Sequence, residues 1–134
     1  MDDIFVAQLM SSPPYTVSAD TLVADAASVM LDNGIGSVVV TDEAGHLVGI
    51  LTSTDFVHIV AESRPKARTT VSRYMSTDVT TLTAQVPIRE AADAMIERGV
   101  HHMPVVDDED VVIGMLSTTD LTAYLSYVRT PSPA

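Results

Sequence analysis

The sequence predicts a mixed α/β fold made of two tandem βαββα repeats packed as a pseudo-twofold pair. Three observations predict it: an internal repeat, helical apolar spacing that ends at a glycine in each copy, and short β-branched runs separated by turns. With 134 residues, 46% of them hydrophobic, the chain is long enough for one compact domain or two small units.

The internal repeat is seen when the chain is shifted along itself by 65 positions, the separation of Asp55 and Asp120. The shift needs no gap and holds one register over most of the chain, which chance matches do not do. It predicts a first repeat at 1–62, a linker at 63–70, a second repeat at 71–128 and a tail at 129–134. The pairs that anchor the register are Met10 and Met75, Met30 and Met95, Gly34 and Gly99, Gly49 and Gly114, and Thr54 and Thr119.

In the first copy, the segment that ends at Val17 is expected to be extended, and Ser18–Asp20 to cap the helix that follows. Apolar residues from Leu22 to Leu31 recur with helical spacing, and Gly34 is expected to end this helix in a left-handed conformation. A strand, a hairpin turn, a second strand and a second helix are predicted next, in the order Ile35–Thr41, Asp42–Gly45, His46–Leu51 and a helix from Phe56.

The second copy repeats this pattern after Leu82, with Thr83 as the expected helix cap and Gly99 as the helix end. Helical spacing runs from Ile88 to Ile96. Its strands, turn and second helix are predicted at Met103–Val106, Asp107–Asp110, Val111–Leu116 and from Leu121 onward.

Charge narrows the possible partners. Eighteen acidic residues against seven basic ones give a net charge of −11, which disfavours nucleic acid and anionic membrane as partners. The acidic surface also predicts a halophilic, archaeal source. There is no cysteine, no signal-like N-terminus and no apolar run long enough to span a membrane, so we expect a cytoplasmic protein without disulfides.

A polar corner recurs where the last strand of each copy meets the last helix. It reads Thr52-x-x-Asp55 in the first copy and Ser117-x-x-Asp120 in the second, three residues after Gly49 or Gly114. One interpretation is a capping box, which stabilises a helix by about 1 kcal/mol and needs no ligand. The other is a nucleotide site, in which backbone N–H groups hold phosphate and the carboxylate accepts hydrogen bonds from ribose hydroxyls.

With these motifs in the same order twice, the chain resembles a CBS-domain pair, or Bateman module, from about Val6 to Val128. Its markers are Met10-Ser and Met75-Ser, the stretches that begin at Gly34 and Gly99, and the two corners. The resemblance implies a stand-alone regulatory module that binds an adenosine derivative (AMP, ADP, ATP or S-adenosylmethionine) between the repeats. It also implies a homodimer that acts in trans on an unknown protein target, with no catalysis and no required cofactor.

The resemblance also implies the residues of two clefts, each drawing on both repeats. One cleft combines Ser117, Thr118, Thr119 and Asp120 with Ser11, Ser12, Tyr15, Thr16, Ile35, Gly36, Ser37 and Val38. The other combines Thr52, Ser53, Thr54 and Asp55 with Ser76, Thr77, Val79, Thr80, Val100, His101, His102 and Met103. Where related proteins hold phosphate with basic residues, this chain has the pair His101-His102 in one repeat and Gly36-Ser37 in the other. Unequal sites and an AMP-like ligand, rather than ATP, are therefore expected.

Three other functions compete with this interpretation. A metal site at His101-His102 is disfavoured because adjacent residues of an extended segment point to opposite sides and no further ligands are spaced near them. No nucleophile motif or phosphate loop indicates an enzyme. The main alternative is a structural module that dimerises and contacts partners without any ligand.

Overall fold

The computed structural model describes residues 4–129, with the side chains of residues 4–126. Helices and strands alternate as the sequence predicts, which confirms the mixed α/β fold with two repeats. In chain order the elements are α1 (Val6–Leu9), β1 (Thr16–Val17), α2 (Val23–Asn33), β2 (Ser37–Thr41), β3 (Leu47–Thr52), α3 (Ser53–Ala61), a 3₁₀ helix (Val71–Arg73), α4 (Ile88–Arg98), β4 (His102–Val106), β5 (Val112–Ser117) and α5 (Thr118–Arg129).

The chain forms two compact units whose boundaries differ from those of the sequence repeats. We call the first the C-unit; its described residues are 4–13, 80–108 and 113–129. The second, the N-unit, consists of Pro14–Val79 and Glu109–Val112. Each unit therefore combines most of one repeat with the leading segment of the other.

The N-unit is built on a three-stranded sheet in the order β1-β2-β3, in which β1 is parallel and β3 antiparallel to β2. Strand β2 is buried on both faces from Ser37 to Val40, as its unbroken apolar run predicts. Helix α2 buries Val23, Ala26 and Met30 in the same core. This stripe has the i, i+3, i+7 spacing of an amphipathic helix.

The C-unit repeats this plan with a two-stranded sheet, β4-β5. The segment equivalent to β1 is reduced to one parallel bridge between Leu82 and Val105. Its core contains Ala91 and Met95 of α4 and Leu116 of β5, with Val6 from the start of the chain. Val6 is fully buried, so the leading segment of the first repeat is part of this core.

The two leading segments, 6–12 and 71–77, occupy equivalent positions in the two units. In the C-unit, Ser11 donates to the carbonyl of Met115 at 2.9 Å and accepts from its N–H at 3.0 Å. In the N-unit, Ser76 and Ile50 exchange the same pair of bonds at 2.9 and 3.0 Å. Each sheet is thus extended by a segment that the sequence assigns to the other repeat.

Helices α2 and α4 begin within one residue of the predicted apolar spacing, but without the expected caps. Helix α2 starts at Val23 after Leu22, and α4 starts at Ile88 after Pro87, and neither flanking residue makes a side-chain cap. The expected caps, Ser18–Asp20 and Thr83, are therefore wrong. Ser18 instead closes a turn with Thr21, because its side chain and backbone both bond to that residue.

The ends of these helices and the starts of the last ones follow the predicted chemistry. Gly34 and Gly99 have φ values of 61° and 67°, which confirms the left-handed helix ends. The last helices begin at Ser53 and Thr118, three residues before the predicted Phe56 and Leu121, so the polar corners form their first turns.

The segment 63–70, which the sequence assigns to the linker, is part of the N-unit and bonds to the start of α2. The carbonyl of Thr69 accepts from the Val23 N–H at 2.9 Å, and the Thr69 side chain is buried. Next to it, the Tyr74 hydroxyl donates to Glu62 Oε1 at 2.6 Å and accepts from Arg64 Nε at 3.2 Å. The hydrogen bond from the Tyr74 hydroxyl is the main cause that lowers the pKa of Glu62, and the nearby positive charge of Arg64 lowers it further.

Candidate functional site

The corner of the C-unit is a complete capping box at the start of α5. Asp120 Oδ2 accepts from the Ser117 N–H at 2.8 Å, and Ser117 Oγ accepts from the Asp120 N–H at 3.2 Å. Both side chains are part-buried. The reciprocal bonds hold the carboxylate at the positive end of the helix.

The corner of the N-unit is closely similar. Asp55 Oδ2 accepts from the Thr52 N–H at 2.8 Å and lies 3.4 Å from Thr52 Oγ1, and the capping box is again reciprocal. Ser53 donates from its N–H and its hydroxyl to the carbonyl of Gly36, at 3.1 and 3.3 Å. The capping interpretation is therefore correct for both corners.

Capping leaves two kinds of group for a ligand. At the start of α5, the N–H groups of Ser117, Thr118 and Asp120 all have protein acceptors, so Thr119 has the one N–H at this corner without a hydrogen-bond acceptor among residues 4–129. Among residues 4–126, whose side chains are described, neither Asp120 Oδ1 nor Asp55 Oδ1 accepts a hydrogen bond. Each corner thus offers carboxylate acceptors and only one N–H donor.

The segments that follow Gly34 and Gly99 lie beside the corner of their own repeat. The Thr118 N–H donates to the carbonyl of His101 at 2.9 Å, as Ser53 donates to Gly36 in the other unit. In the clefts predicted from the sequence, Val100–Met103 is instead grouped with Asp55. The described bonds join this segment to the corner at Asp120, and its grouping with Asp55 stays a prediction.

The two histidines give the C-unit corner a feature that the N-unit lacks. His102 is half-buried, while His101 is exposed. Burial is the main cause that lowers the pKa of His102; the neighbouring His101 lowers it further, and Asp120 opposes both. At neutral pH this imidazole is therefore uncharged. The equivalent residue in the N-unit, Ser37, is buried and does not titrate.

The predicted serines of the leading segments are divided between the two units. Ser11 and Ser12 are in the C-unit, where Ser12 Oγ donates to the carbonyl of Ile113 at 2.9 Å. Ser76 and Thr77 are exposed in the N-unit. These residues therefore lie beside β5 and β3, the strands that lead into the corners at Ser117 and Thr52.

The remaining predicted residues differ in accessibility. Tyr15 is 49% exposed, and Thr16 is also exposed. Val38 and Met103 are fully buried in the cores of their units, so in this structure only their backbone is available to a ligand. The others, Ile35, Gly36, Val79, Thr80 and Val100, are half-buried.

Sequence reasoning missed the role of the two corner glycines. A Cβ atom on Gly49 would lie 2.7 Å from the carbonyl oxygen of Ser76, and one on Gly114 would lie 2.7 Å from Met10 Sδ. The glycines therefore let the leading segments approach the last strands. The sequence feature that indicates this role is that Met-Ser and the corner glycine both occur in each repeat: Met10-Ser11 contacts Gly114, and Met75-Ser76 contacts Gly49.

Among residues 4–129, no group of three or more histidine, aspartate or glutamate side chains is arranged to hold a metal ion. Within the same range, no helix combines the length and the apolar character that crossing a bilayer requires.

Comparison with known proteins identifies two copies of one domain in this chain. A family model described as "CBS domain" matches residues 6–62 and again residues 71–127. An uncharacterized 17.7 kDa protein of Acidianus ambivalens is 32% identical over 125 residues, which is 93% of this chain and 75% of that protein.

Two further relatives bear on function. A solved CBS domain pair in complex with 5′-methylthioadenosine and S-adenosyl-L-methionine superposes with a TM-score of 0.89; it is 26% identical and covers 96% of this chain and 100% of its own. The L-aspartate semialdehyde sulfurtransferase of Methanocaldococcus jannaschii is 29% identical over 87% of this chain, but the match spans only 22% of that enzyme.

Proposed function

This chain belongs to the CBS domain family, and from that premise we propose that it is a regulatory module that binds an adenosine-type ligand at its two polar corners. The observation that carries the proposal is the free Oδ1 of Asp55 and of Asp120. Each carboxylate is fixed by its capping bonds and keeps acceptor capacity for the two hydroxyls of a ribose. Capping and ribose binding are thus compatible roles of one side chain.

The hydrogen bonds at each corner favour a ligand with little phosphate. A triphosphate needs several N–H donors or cations, whereas α5 offers the single N–H of Thr119 and the neutral His102. AMP, with one phosphate, or a phosphate-free derivative, such as the thioether 5′-methylthioadenosine or the sulfonium S-adenosylmethionine, fits these donors better than ATP. The solved relative that holds 5′-methylthioadenosine and S-adenosyl-L-methionine supports this choice.

The assignment of residues follows the same logic in both units. Asp120 and Asp55 bind ribose, and Ser117–Thr119 and Thr52–Thr54 lie near the phosphate or its replacement. The adenine is contacted by Tyr15, Thr16 and the backbone after each helix-ending glycine. The sites are unequal because the C-unit corner has His101-His102 where the N-unit corner has Gly36-Ser37.

We assign no catalytic step to these residues. Ligand binding stabilises one conformation of the chain and so changes the surface that a homodimer presents to a protein target in trans. A module of this kind also occurs as a minor part of a longer enzyme, since the sulfurtransferase match spans only 22% of that protein.

A thermal-shift series tests the binding proposal. We expect AMP, S-adenosylmethionine and 5′-methylthioadenosine at millimolar concentration to raise Tm, and ATP to raise it less. GMP serves as the matched control, since it has the same ribose and phosphate with a different base. If no adenosine compound raises Tm, the ligand-free interaction module is the better description.

A further inference from the structure

Three polar side chains connect the end of α3 to the leading segment 71–77 of the N-unit. The Tyr74 hydroxyl donates to Glu62 Oε1 at 2.6 Å and accepts from Arg64 Nε at 3.2 Å. Arg64 Nε also lies 3.6 Å from the same Glu62 oxygen. Glu62 directly follows Ala61, the last residue of α3. We call these three residues the tyrosine triad below.

The same leading segment is bonded to the strand that precedes α3. Two residues after Tyr74, Ser76 exchanges backbone hydrogen bonds with Ile50 of β3 at 2.9 and 3.0 Å. Strand β3 ends at Thr52, where the polar corner and α3 begin. The leading segment is therefore connected to the end of α3 through Tyr74 and to the strand before α3 through Ser76.

The ring of Tyr74 places its hydroxyl at the edge of the core. Tyr74 is half-buried, and its side chain packs against the N-unit core. Burial is the main cause that raises the pKa of Tyr74, and the hydrogen bond to Glu62 raises it further. The hydroxyl therefore keeps its proton at neutral pH and donates to the Glu62 carboxylate.

The C-unit has an apolar residue at the equivalent position. In the repeat register, Tyr74 corresponds to Leu9. Leu9 packs against the C-unit core, and its side chain has no hydrogen-bonding group. The leading segment of the C-unit is therefore held without the bonds that Tyr74 makes in the N-unit.

We propose that Tyr74 is a positioning residue for the N-unit site: through Glu62 and Arg64 it holds the leading segment where Ser76 and Thr77 contact the adenosine ligand. Both of these residues are exposed, so the placement of their backbone decides where their hydroxyls lie. Without the Tyr74 hydroxyl, the segment keeps its pairing at Ser76 but loses its connection to the end of α3. The binding-competent arrangement is then populated less. The inference rests on the proposed function and assigns weaker binding to one site only.

Calorimetric titration of 5′-methylthioadenosine tests this role in an Asp120→Asn background, which leaves the N-unit site. We expect Tyr74→Phe to weaken binding about fourfold, the effect of lowering the competent fraction from near one to about one quarter. Tyr124→Phe, which removes a hydroxyl from α5 of the C-unit, is the matched control and should not change the affinity. In an Asp55→Asn background, which leaves the C-unit site, Tyr74→Phe should have no effect. Unchanged affinity at the N-unit site, or equal losses at both sites, overturns the proposal.

Variants of Glu62 separate positioning from a general loss of stability. Glu62→Gln keeps a carbonyl oxygen that accepts from Tyr74, so it should bind within about twofold of its parent. Glu62→Ala should weaken binding as much as Tyr74→Phe does. The double variant should be no weaker than either single variant, since both changes remove the same connection. Additive losses in the double variant contradict a shared role for Tyr74 and Glu62.

Amide hydrogen exchange without ligand separates this inference from the proposed function. The Ser76 N–H donates to the Ile50 carbonyl, and the Ser11 N–H donates to the Met115 carbonyl in the C-unit. We expect Tyr74→Phe to speed exchange at Ser76 and to leave Ser11 unchanged. Unchanged exchange at Ser76 overturns the positioning role, whether or not the chain binds an adenosine compound. Faster exchange at Ser76 in a chain that binds no adenosine compound supports the hold on the segment and contradicts only the proposed function.

Discussion

Replacing Gly49 with alanine is the sharpest test of how the leading segments complete the two units. The added Cβ would lie 2.7 Å from the carbonyl oxygen of Ser76 and 3.0 Å from Met75 Sδ. Ordinary carbon–oxygen contacts are about 3.3 Å or longer, so the segment must move by roughly half an ångström. The Ser76 carbonyl is also the acceptor of the Ile50 N–H, and this bond weakens as the oxygen moves.

The magnitude follows from these two effects. Overpacking of this kind costs about 1–3 kcal/mol, and one weakened hydrogen bond adds about 1 kcal/mol. For Gly49→Ala we expect the free energy of unfolding to fall by about 2–4 kcal/mol. At the equivalent Gly114 the nearest atom is Met10 Sδ, at the flexible end of a side chain, and Ser11 O is 3.0 Å away. Gly114→Ala should therefore cost only about 1–2 kcal/mol.

Urea unfolding followed by circular dichroism compares the two variants in the same background. Both variants change the unfolded chain in the same way, because each replaces a glycine with alanine. The difference between their free energies of unfolding therefore reports the contact of the added Cβ with the leading segment. If Gly114→Ala is as destabilising as Gly49→Ala, or more so, the account of the close approach at Ser76 is refuted.

Three further predictions concern the titration of the C-unit corner, the helix ends and the leading segments. Because burial lowers the pKa of His102 in the folded state, the contribution of the neutral imidazole to stability is complete above pH 6.5 and is lost as the pH falls through the folded-state pKa. The affinity for AMP, measured by calorimetry, should rise only below pH 6.5, where His102 takes up a proton. In His102→Gln this rise should be absent. Gly34→Ala and Gly99→Ala should each cost about 1 kcal/mol in urea unfolding, since both positions are left-handed with no contact to an added Cβ, and a neutral result would show that the backbone there relaxes freely. Val6→Ala and Val71→Ala should each cost about 2 kcal/mol, because both side chains are fully buried in the core that their leading segment joins; no loss for either would argue against the exchange of segments.

Much of this fold could be predicted from periodicity and turn chemistry. The repeat register, the helix ends at Gly34 and Gly99 and the strands around the hairpin turns all depend on local residue patterns, which the structure keeps. The expected caps at Ser18 and Thr83 are wrong because both residues form turns: Ser18 bonds to Thr21, and the Thr83 carbonyl accepts from the Val86 N–H. The residue type alone does not show whether such a residue will cap a helix or form a turn before it.

The exchange of leading segments could not be predicted in the same way. It depends on pairing between residues far apart in the chain, such as Ser11 with Met115, for which the sequence has no local signal. Of the candidate site, the corners were found because the same motif occurs twice. The number of N–H groups left free at each corner could not be predicted, because it depends on acceptors such as the His101 carbonyl that only the folded chain brings close.

The most direct test of the central claim is calorimetric titration of 5′-methylthioadenosine, which has no phosphate, into the wild type and into Asp120→Asn, Asp55→Asn and Thr122→Ala. We predict that each aspartate variant loses one binding event, because the amide that replaces the carboxylate presents an NH2 group as well as one carbonyl oxygen to the ribose hydroxyls. Thr122→Ala removes an exposed hydrogen bond to the Thr118 carbonyl within α5 but leaves both carboxylates and their capping bonds in place, and it should bind as the wild type does. If the wild type binds no 5′-methylthioadenosine, or if both aspartate variants bind it unchanged, the corners are helix caps and nothing more.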